Sequence, residues 1–158
     1  MIFVSVGTLE KPFNRLLQGV DIIAEKVNEE ILVQTGHATY IPKKCKFFKY
    51  CSHEEMLAHI NAASIVISHS GFGIIGNSIR LKKPMILVPR EIKYGEAIDR
   101  QYELAEYMAS QNKSILCVRD VNQLPEAIDE IRNIRVDYHY NTIIPELIEQ
   151  YISSTFFC

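Results

Sequence analysis

The sequence predicts an α/β fold with a doubly wound, mainly parallel sheet, and three observations support this prediction. Short apolar runs typical of strands alternate with segments whose apolar residues recur at helical spacing. The runs Ile65 to Ile67 and Met85 to Val88 are apolar without alternation, as in strands covered on both faces. The 158 residues, 47% of them hydrophobic, suffice for one domain with its own core. Because parallel neighbours need helical crossovers, we expect a Rossmann-like domain.

The first half of the chain contains the first strand and helix unit and two further strands. Ile2 to Val6 is a β-rich run, and apolar residues then recur at helical spacing from Phe13 to Val27. Ile31 to Gln34 is predicted as the second strand and Lys46 to Tyr50 as a third, weaker one.

The same alternation continues to residue 135. The pattern Ser52-His53-Glu54-Glu55 is a capping box, which predicts a helix to about Ile60. Around the strands at Ile65 and Met85, the remaining predicted elements are a helix from Gly71 to Lys82, a polar loop from Pro89 to Glu96, a helix from Ala97 to Ser110, a strand from Ile115 to Val118 and a helix from Asn122 to Ile131. Residues 1–135 are therefore predicted to form one domain.

Residues 136–158 are predicted to form a separate helical tail. The stripe from Ile143 to Phe157 contains too many apolar residues for a solvated terminus. Two alternatives stay open, since the tail can pack on its own domain or serve as a docking element for a partner.

The glycine-rich segment from Ser68 to Gly76 carries the clearest sign of function. It follows a predicted strand and precedes a predicted helix. Glycines at such a turn let backbone amides approach a phosphate, and the helix N-terminus adds roughly half a positive charge. The segment therefore predicts a diphosphate site. His69 stands at the carboxyl end of the strand, where ligands gather in open α/β sheets.

Two alternatives compete with a nucleotide diphosphate. Gly71 to Gly76 also matches the dinucleotide fingerprint G-x-G-x-x-G, and Glu91 lies about where a ribose-binding acid is expected, as in an NAD-dependent oxidoreductase. The glycines can also form a purely structural turn. Because the fingerprint usually occupies the first βα turn and this segment lies mid-chain, the sequence favours the nucleotide diphosphate.

Composition excludes several other classes. The 17 Lys and Arg nearly balance the 19 Asp and Glu, so the protein has no large positive electrostatic field that would attract nucleic acid. The four cysteines show no C-x-x-C spacing and the histidines no zinc-ligand spacing, which predicts reduced thiols and no metal site. With no basic leader before Gly7 and no apolar run of about 20 residues, we expect a cytoplasmic protein.

Several segments in a fixed order resemble the C-terminal domain of family 28 glycosyltransferases. The segments are Ile65 to Gly73, Leu81 to Arg90, Tyr94 to Glu96 and Asp99 to Gln101, together with Phe3 to Thr8 and Gln34 to His37. The resemblance covers roughly residues 1–108. It is strongest to the small donor-binding subunits of two-component bacterial exopolysaccharide and capsule glycosyltransferases, which are similar to the soluble subunit of the eukaryotic dolichol-linked UDP-GlcNAc transferase.

The resemblance implies one lobe of an inverting GT-B glycosyltransferase. This lobe would bind a UDP-sugar, and a membrane-associated partner subunit would bind a polyprenyl-linked acceptor and supply the catalytic base. The chain would lie at the inner face of the membrane through that partner, with no cofactor, no metal and no nucleic acid. His69 is the candidate base within the chain. A non-catalytic regulatory module that binds a nucleotide sugar is the alternative.

The resemblance also implies donor-binding residues. It assigns the phosphates to the glycine-rich loop at Gly71, Phe72 and Gly73. It assigns the sugar to Asp99 and Gln101, and one side of the cleft to Gly7 and Thr8 at the end of the first strand. Arg90 lies either in a solvated loop or on a donor phosphate, which suits its bidentate fork. The predicted donor-binding residues are Gly7, Thr8, His69, Ser70, Gly71, Phe72, Gly73, Asn77, Arg90, Asp99 and Gln101.

The chain departs from the family pattern at three positions. Many relatives have Thr where this chain has Ile74, Glu where it has Asn77 and His where it has Arg100. Asn77 can still hydrogen-bond a ribose hydroxyl, but it lacks the charge that strengthens such a bond. We therefore expect weaker or altered donor selectivity.

Overall fold

A six-stranded parallel sheet forms the centre of the protein. The computed structural model describes residues 1–138, so the predicted tail stripe from Ile143 to Phe157 lies outside the described residues. The strands are β1 (Ile2–Ser5), β2 (Ile31–Gln34), β3 (Lys46–Phe48), β4 (Ile65–Ser68), β5 (Met85–Leu87) and β6 (Ile115–Cys117). Their spatial order, β3-β2-β1-β4-β5-β6, confirms the doubly wound, Rossmann-like prediction.

Helices cover both faces of the sheet. They are α1 (Asn14–Ala24), α2 (His53–Ala62), α3 (Phe72–Arg80), α4 (Gln101–Gln111) and α5 (Leu124–Arg132). Leu16 of α1 and Ile128 of α5 are fully buried in the core on one face, and Ile60 of α2 and Ala105 of α4 in the core on the other. None of the helices within residues 1–138 has the length and apolar character needed to cross a bilayer.

The start of α4 differs from its prediction. The helix begins at Gln101 and not at Ala97. The backbone carbonyl of Glu96 accepts a hydrogen bond from Arg90 (3.2 Å), and its carboxylate accepts one from the backbone amide of Glu91 (3.1 Å). These contacts tie Glu96 into the loop after β5, and the N-cap residue Arg100 has a non-helical backbone (φ −90°, ψ 66°), so the helix starts later than the apolar spacing indicates.

The strand order places a crevice between β1 and β4. These strands are neighbours, with Ser5 in register with Ser68, but β1 continues to β2 on one side and β4 to β5 on the other. Ligands of open α/β sheets bind at the carboxyl ends of the strands where the order reverses. The fold therefore positions a site beside Ser5 and Ser68.

Candidate functional site

A cleft of about 280 Å³ opens at this carboxyl edge. Its walls are the ends of β1 and β2, the turns after β1 and β4, the start of α2 and the first two turns of α3. It is lined by Ser5, Gly7, Thr8, Gln34, His53, Met56, His69, Gly71, Gly73, Ile74 and Asn77. The predicted donor-binding residues that the fold brings together here are Gly7, Thr8, His69, Gly71, Gly73 and Asn77.

The N-terminus of α3 faces this cleft without an internal cap. The helix has Gly71 at the N-cap, no side-chain capping bond and no acidic residue in its first turn. By contrast, α2 has the predicted capping box, in which the Ser52 hydroxyl accepts from the Glu55 amide (3.2 Å). A Cβ built on Gly73 would meet no atom within 4 Å. The amides and positive dipole end of α3 are therefore available to an anion.

His69 lies between the two glycine turns of the cleft. A Cβ built on Gly7 or on Gly71 would come within 3.0 Å of its ring. These two glycines therefore make room for the His69 side chain, whereas Gly73 faces open space. Burial, and then the positive charge of Arg90, lower the pKa of His69 to about 4. The ring is neutral near pH 7 and offers a phosphate no positive charge.

Arg90 does not reach the cleft, which corrects the expectation that it neutralises a phosphate. Its side chain is 1% exposed. The guanidinium donates to the backbone carbonyls of Val6 (2.8 Å), Lys11 (2.9 Å) and Glu96 (3.2 Å), and it lies 4.8 Å from the centre of the Phe13 ring. Arg90 therefore holds the turn after β1 against the loop after β5.

Ser70, Phe72, Asp99 and Gln101 also lie outside the cleft lining. Phe72, 78% exposed, lines an apolar groove between α3 and α4, and Asp99 is exposed in the turn before α4. The Ser70 hydroxyl and the Gln101 side-chain oxygen are buried without a hydrogen-bond partner among the described residues. Their side chains therefore do not line the cleft, although Ser70 and Phe72 are next to its glycines in the chain.

Five cleft residues were not among the predicted donor-binding ones, and Ile74 is the one that belongs to α3 itself. Ser5 and Gln34 end β1 and β2, and the Ser5 hydroxyl donates to the Gln34 side-chain oxygen at 2.5 Å. A polar residue at the end of an apolar strand is a usable signal for both. His53 and Met56 belong to the start of α2, and nothing in their local sequence shows that this helix reaches the crevice.

The structure argues against the dinucleotide alternative. Glu91, the acid that this alternative needs for ribose, is buried in ion pairs with Arg119 (3.0 Å) and Lys93 (3.0 Å). The hydrogen bonds from Arg119 are the main cause that lowers the pKa of Glu91 to about 2. The glycine-rich segment follows β4 and not β1. Within residues 1–138, no group of three His, Cys, Asp or Glu side chains is arranged to hold a metal ion.

Residues 1–142 match the family model described as glycosyltransferase family 28 C-terminal domain. No curated protein matches the chain. Solved structures of similar fold include Methanocaldococcus jannaschii UDP-GlcNAc 2-epimerase in complex with UDP-GlcNAc and UDP (15% identity, TM-score 0.69, 97% of this chain and 45% of that one) and Acinetobacter baumannii MurG (14%, 0.62, 98% and 49%). The glycotransferase of kitacinnamycin is a third (15%, 0.66, 84% and 34%). The chain thus spans between a third and a half of these structures, and the likeness concerns the fold.

Proposed function

Because the chain belongs to the family 28 glycosyltransferase C-terminal domains, which bind nucleotide sugars, we propose that it holds a UDP-hexose for inverting transfer to a polyprenyl-linked saccharide. The observation that supports this most is the uncapped N-terminus of α3 facing the cleft, with Gly73 open to a ligand. The proposed context is exopolysaccharide or capsule biosynthesis on the cytoplasmic side of the membrane.

The diphosphate of the donor would lie on the first turn of α3. Its charge would be met by the free amides there and by the helix dipole, in place of a cationic side chain. These donors are fixed in position before the reaction, so they also stabilise the charge that develops on the leaving UDP. No metal is needed for this role, and no cofactor is proposed.

The rest of the donor would follow the cleft away from Gly73. Asn77 lies one turn further along α3 and lines the cleft, so its amide is placed to hydrogen-bond a ribose hydroxyl. Met56 and His53 of α2 form another part of the wall, where a polarizable thioether suits contact with a flat base. Asp99 and Gln101 remain proposed contacts of the sugar, which would extend from the diphosphate beyond the cleft lining.

The acceptor and the catalytic base are proposed to belong to a membrane-associated partner subunit. No carboxylate lines the cleft within residues 1–138, and His69 is a weak base because of its lowered pKa. Exposed apolar side chains follow the carboxyl ends of β1, β4 and β5, at the edge where a second lobe would close the cleft. They are Leu9, Phe72, Ile92, Tyr94 and Ile98. A surface of this kind suits a protein partner.

We expect UDP to bind the isolated chain more tightly than UMP, and uridine to bind most weakly. The terminal phosphate adds charge-assisted hydrogen bonds to the amides of α3, so the step from UMP to UDP is expected to be about tenfold in affinity. Calorimetric titration with the three ligands measures this series. Equal affinities for UDP and UMP would contradict a diphosphate site at α3, and a parallel series with UDP-glucose, UDP-galactose and UDP-GlcNAc would identify the sugar.

A further inference from the structure

The His69 ring separates two turns that belong to different strands. Its atom Cε1 is the one nearest to a Cβ built on Gly7, and its atom Nε2 is the one nearest to a Cβ built on Gly71. Gly7 adopts a φ of +79°, which a side chain disfavours in any case, but Gly71 has an ordinary extended backbone. Gly71 is therefore required by the neighbouring ring and not by its own conformation.

Hydrogen bonds hold the ring and both turns in place. The Ser68 hydroxyl lies 3.3 Å from His69 Nδ1 and donates to the His69 carbonyl at 2.9 Å. The same carbonyl accepts from the Gly71 amide (2.9 Å), and the His69 amide donates to the Ser5 carbonyl (3.3 Å). The Gly7 amide donates to the Ser5 hydroxyl (3.2 Å). The ring is thus anchored on its Nδ1 side, and its outer edge contacts the two turns.

We propose that His69 is a positioning residue, whose outer ring edge fixes the distance between the Gly7 turn and the N-terminus of α3 and so preforms the anion site of the cleft. Gly7 and Gly71 both abut the Cε1–Nε2 edge of that ring, and both line the cleft with Gly73. The identity of the ligand rests on the proposed function, whereas the spacing itself does not. A ring that acts as a spacer needs no charge, which agrees with its neutral state near pH 7.

The experiment removes the outer atoms of the His69 ring and fills the space with a methyl group on residue 71. His69→Asn keeps a polar group near Ser68 but removes the outer ring atoms, and we expect UDP affinity to fall by about tenfold and the free energy of unfolding to decrease. Gly71→Ala alone places a methyl against the ring and is expected to impair both. In the double variant the methyl fills the vacated space. We therefore expect the double variant to bind UDP about threefold more tightly than His69→Asn alone and to recover part of the lost stability.

Gly71→Ala is thus expected to be harmful beside His69 and beneficial beside Asn at position 69, and this reversal of sign separates a spacer from other roles. A ring nitrogen that bound the ligand directly would not be replaced by a methyl, and a merely structural residue would change stability without changing the affinity of the folded protein. Ile23→Ala, which removes a fully buried side chain of α1 outside the cleft, is the matched control and is expected to lower stability but not UDP affinity.

The free energies of unfolding of the variants test the spacing role without any ligand. If the wild-type chain binds no UDP, the proposed function is wrong, and the reversal of sign in stability still tests the role of His69. If His69→Asn does not fold, we expect the double variant to recover folding. An unchanged His69→Asn variant, a harmless Gly71→Ala in the presence of His69, or a double variant no better than His69→Asn would each overturn the proposal.

Discussion

The purified chain is expected to transfer no sugar at a measurable rate by itself, and activity is expected to appear when the proposed membrane-associated partner is added. The described residues form one lobe, and the cleft lies on an open edge without a carboxylate to act as base. Alignment of two reactants is worth about 7–11 kcal/mol in well-oriented systems, and an acceptor that is free in the membrane gains none of it. Transfer of labelled sugar to a lipid-linked acceptor in vesicles measures the rate for chain, partner and mixture.

Two variants serve as controls for the reconstituted reaction. A Gly73→Asp chain that still associates with the partner is expected to give little transfer, because donor binding is weakened. Truncation before Ile143 is expected to weaken association with the partner more than it weakens UDP binding. A turnover number on the order of 1 per second or faster for the chain alone would contradict the split-enzyme proposal.

Replacement of Gly73 by Asp is expected to weaken UDP binding by more than tenfold, that is by more than about 1.4 kcal/mol. The new carboxylate would stand where the diphosphate is proposed to bind and would occupy the positive end of the helix dipole. The fold has room for it, since a Cβ at this position meets nothing within 4 Å. An acidic residue in the first turn also favours the helix, so stability is expected to stay equal or rise while affinity falls. Calorimetry and thermal unfolding measure the two effects.

Gly76→Asp is the matched control for this prediction. Gly76 lies in the same helix, and a Cβ there also meets nothing within 4 Å, but the residue lines the groove between α3 and α4 and not the cleft. We expect this variant to bind UDP with an affinity close to that of the wild-type chain. An equal loss in both variants would indicate a general effect of negative charge on α3, and no loss at Gly73 would move the phosphate site elsewhere.

The elements of the fold were predictable because their signals are local. Apolar runs such as Ile65 to Ile67 and the capping box at Ser52 appear in short stretches of sequence, and the structure confirms the strand and the helix that they predict. The glycine-rich turn before α3 belongs to the same group, since strand, glycines and helix are contiguous in the chain.

The errors at the site come from contacts between distant residues. Arg90 follows a strand, where a phosphate ligand was a reasonable expectation, but its hydrogen-bond partners Val6 and Lys11 lie 84 and 79 residues away in sequence. Gly71, which was assigned to the ligand, does line the cleft, but the sequence did not show that the His69 ring leaves no room for a side chain there. His53 lines the cleft from the start of α2, and no local sequence pattern specifies where that helix begins relative to the sheet.

Calorimetric titration of the isolated wild-type chain with UDP and with NAD tests the central claim most directly. Both ligands carry a diphosphate, so the comparison separates a nucleotide-sugar site from a dinucleotide site. We expect measurable binding of UDP and none of NAD, because the cleft at β4 is proposed to accept one nucleoside diphosphate and Glu91 is already paired with Arg119. Tighter binding of NAD than of UDP would contradict the account.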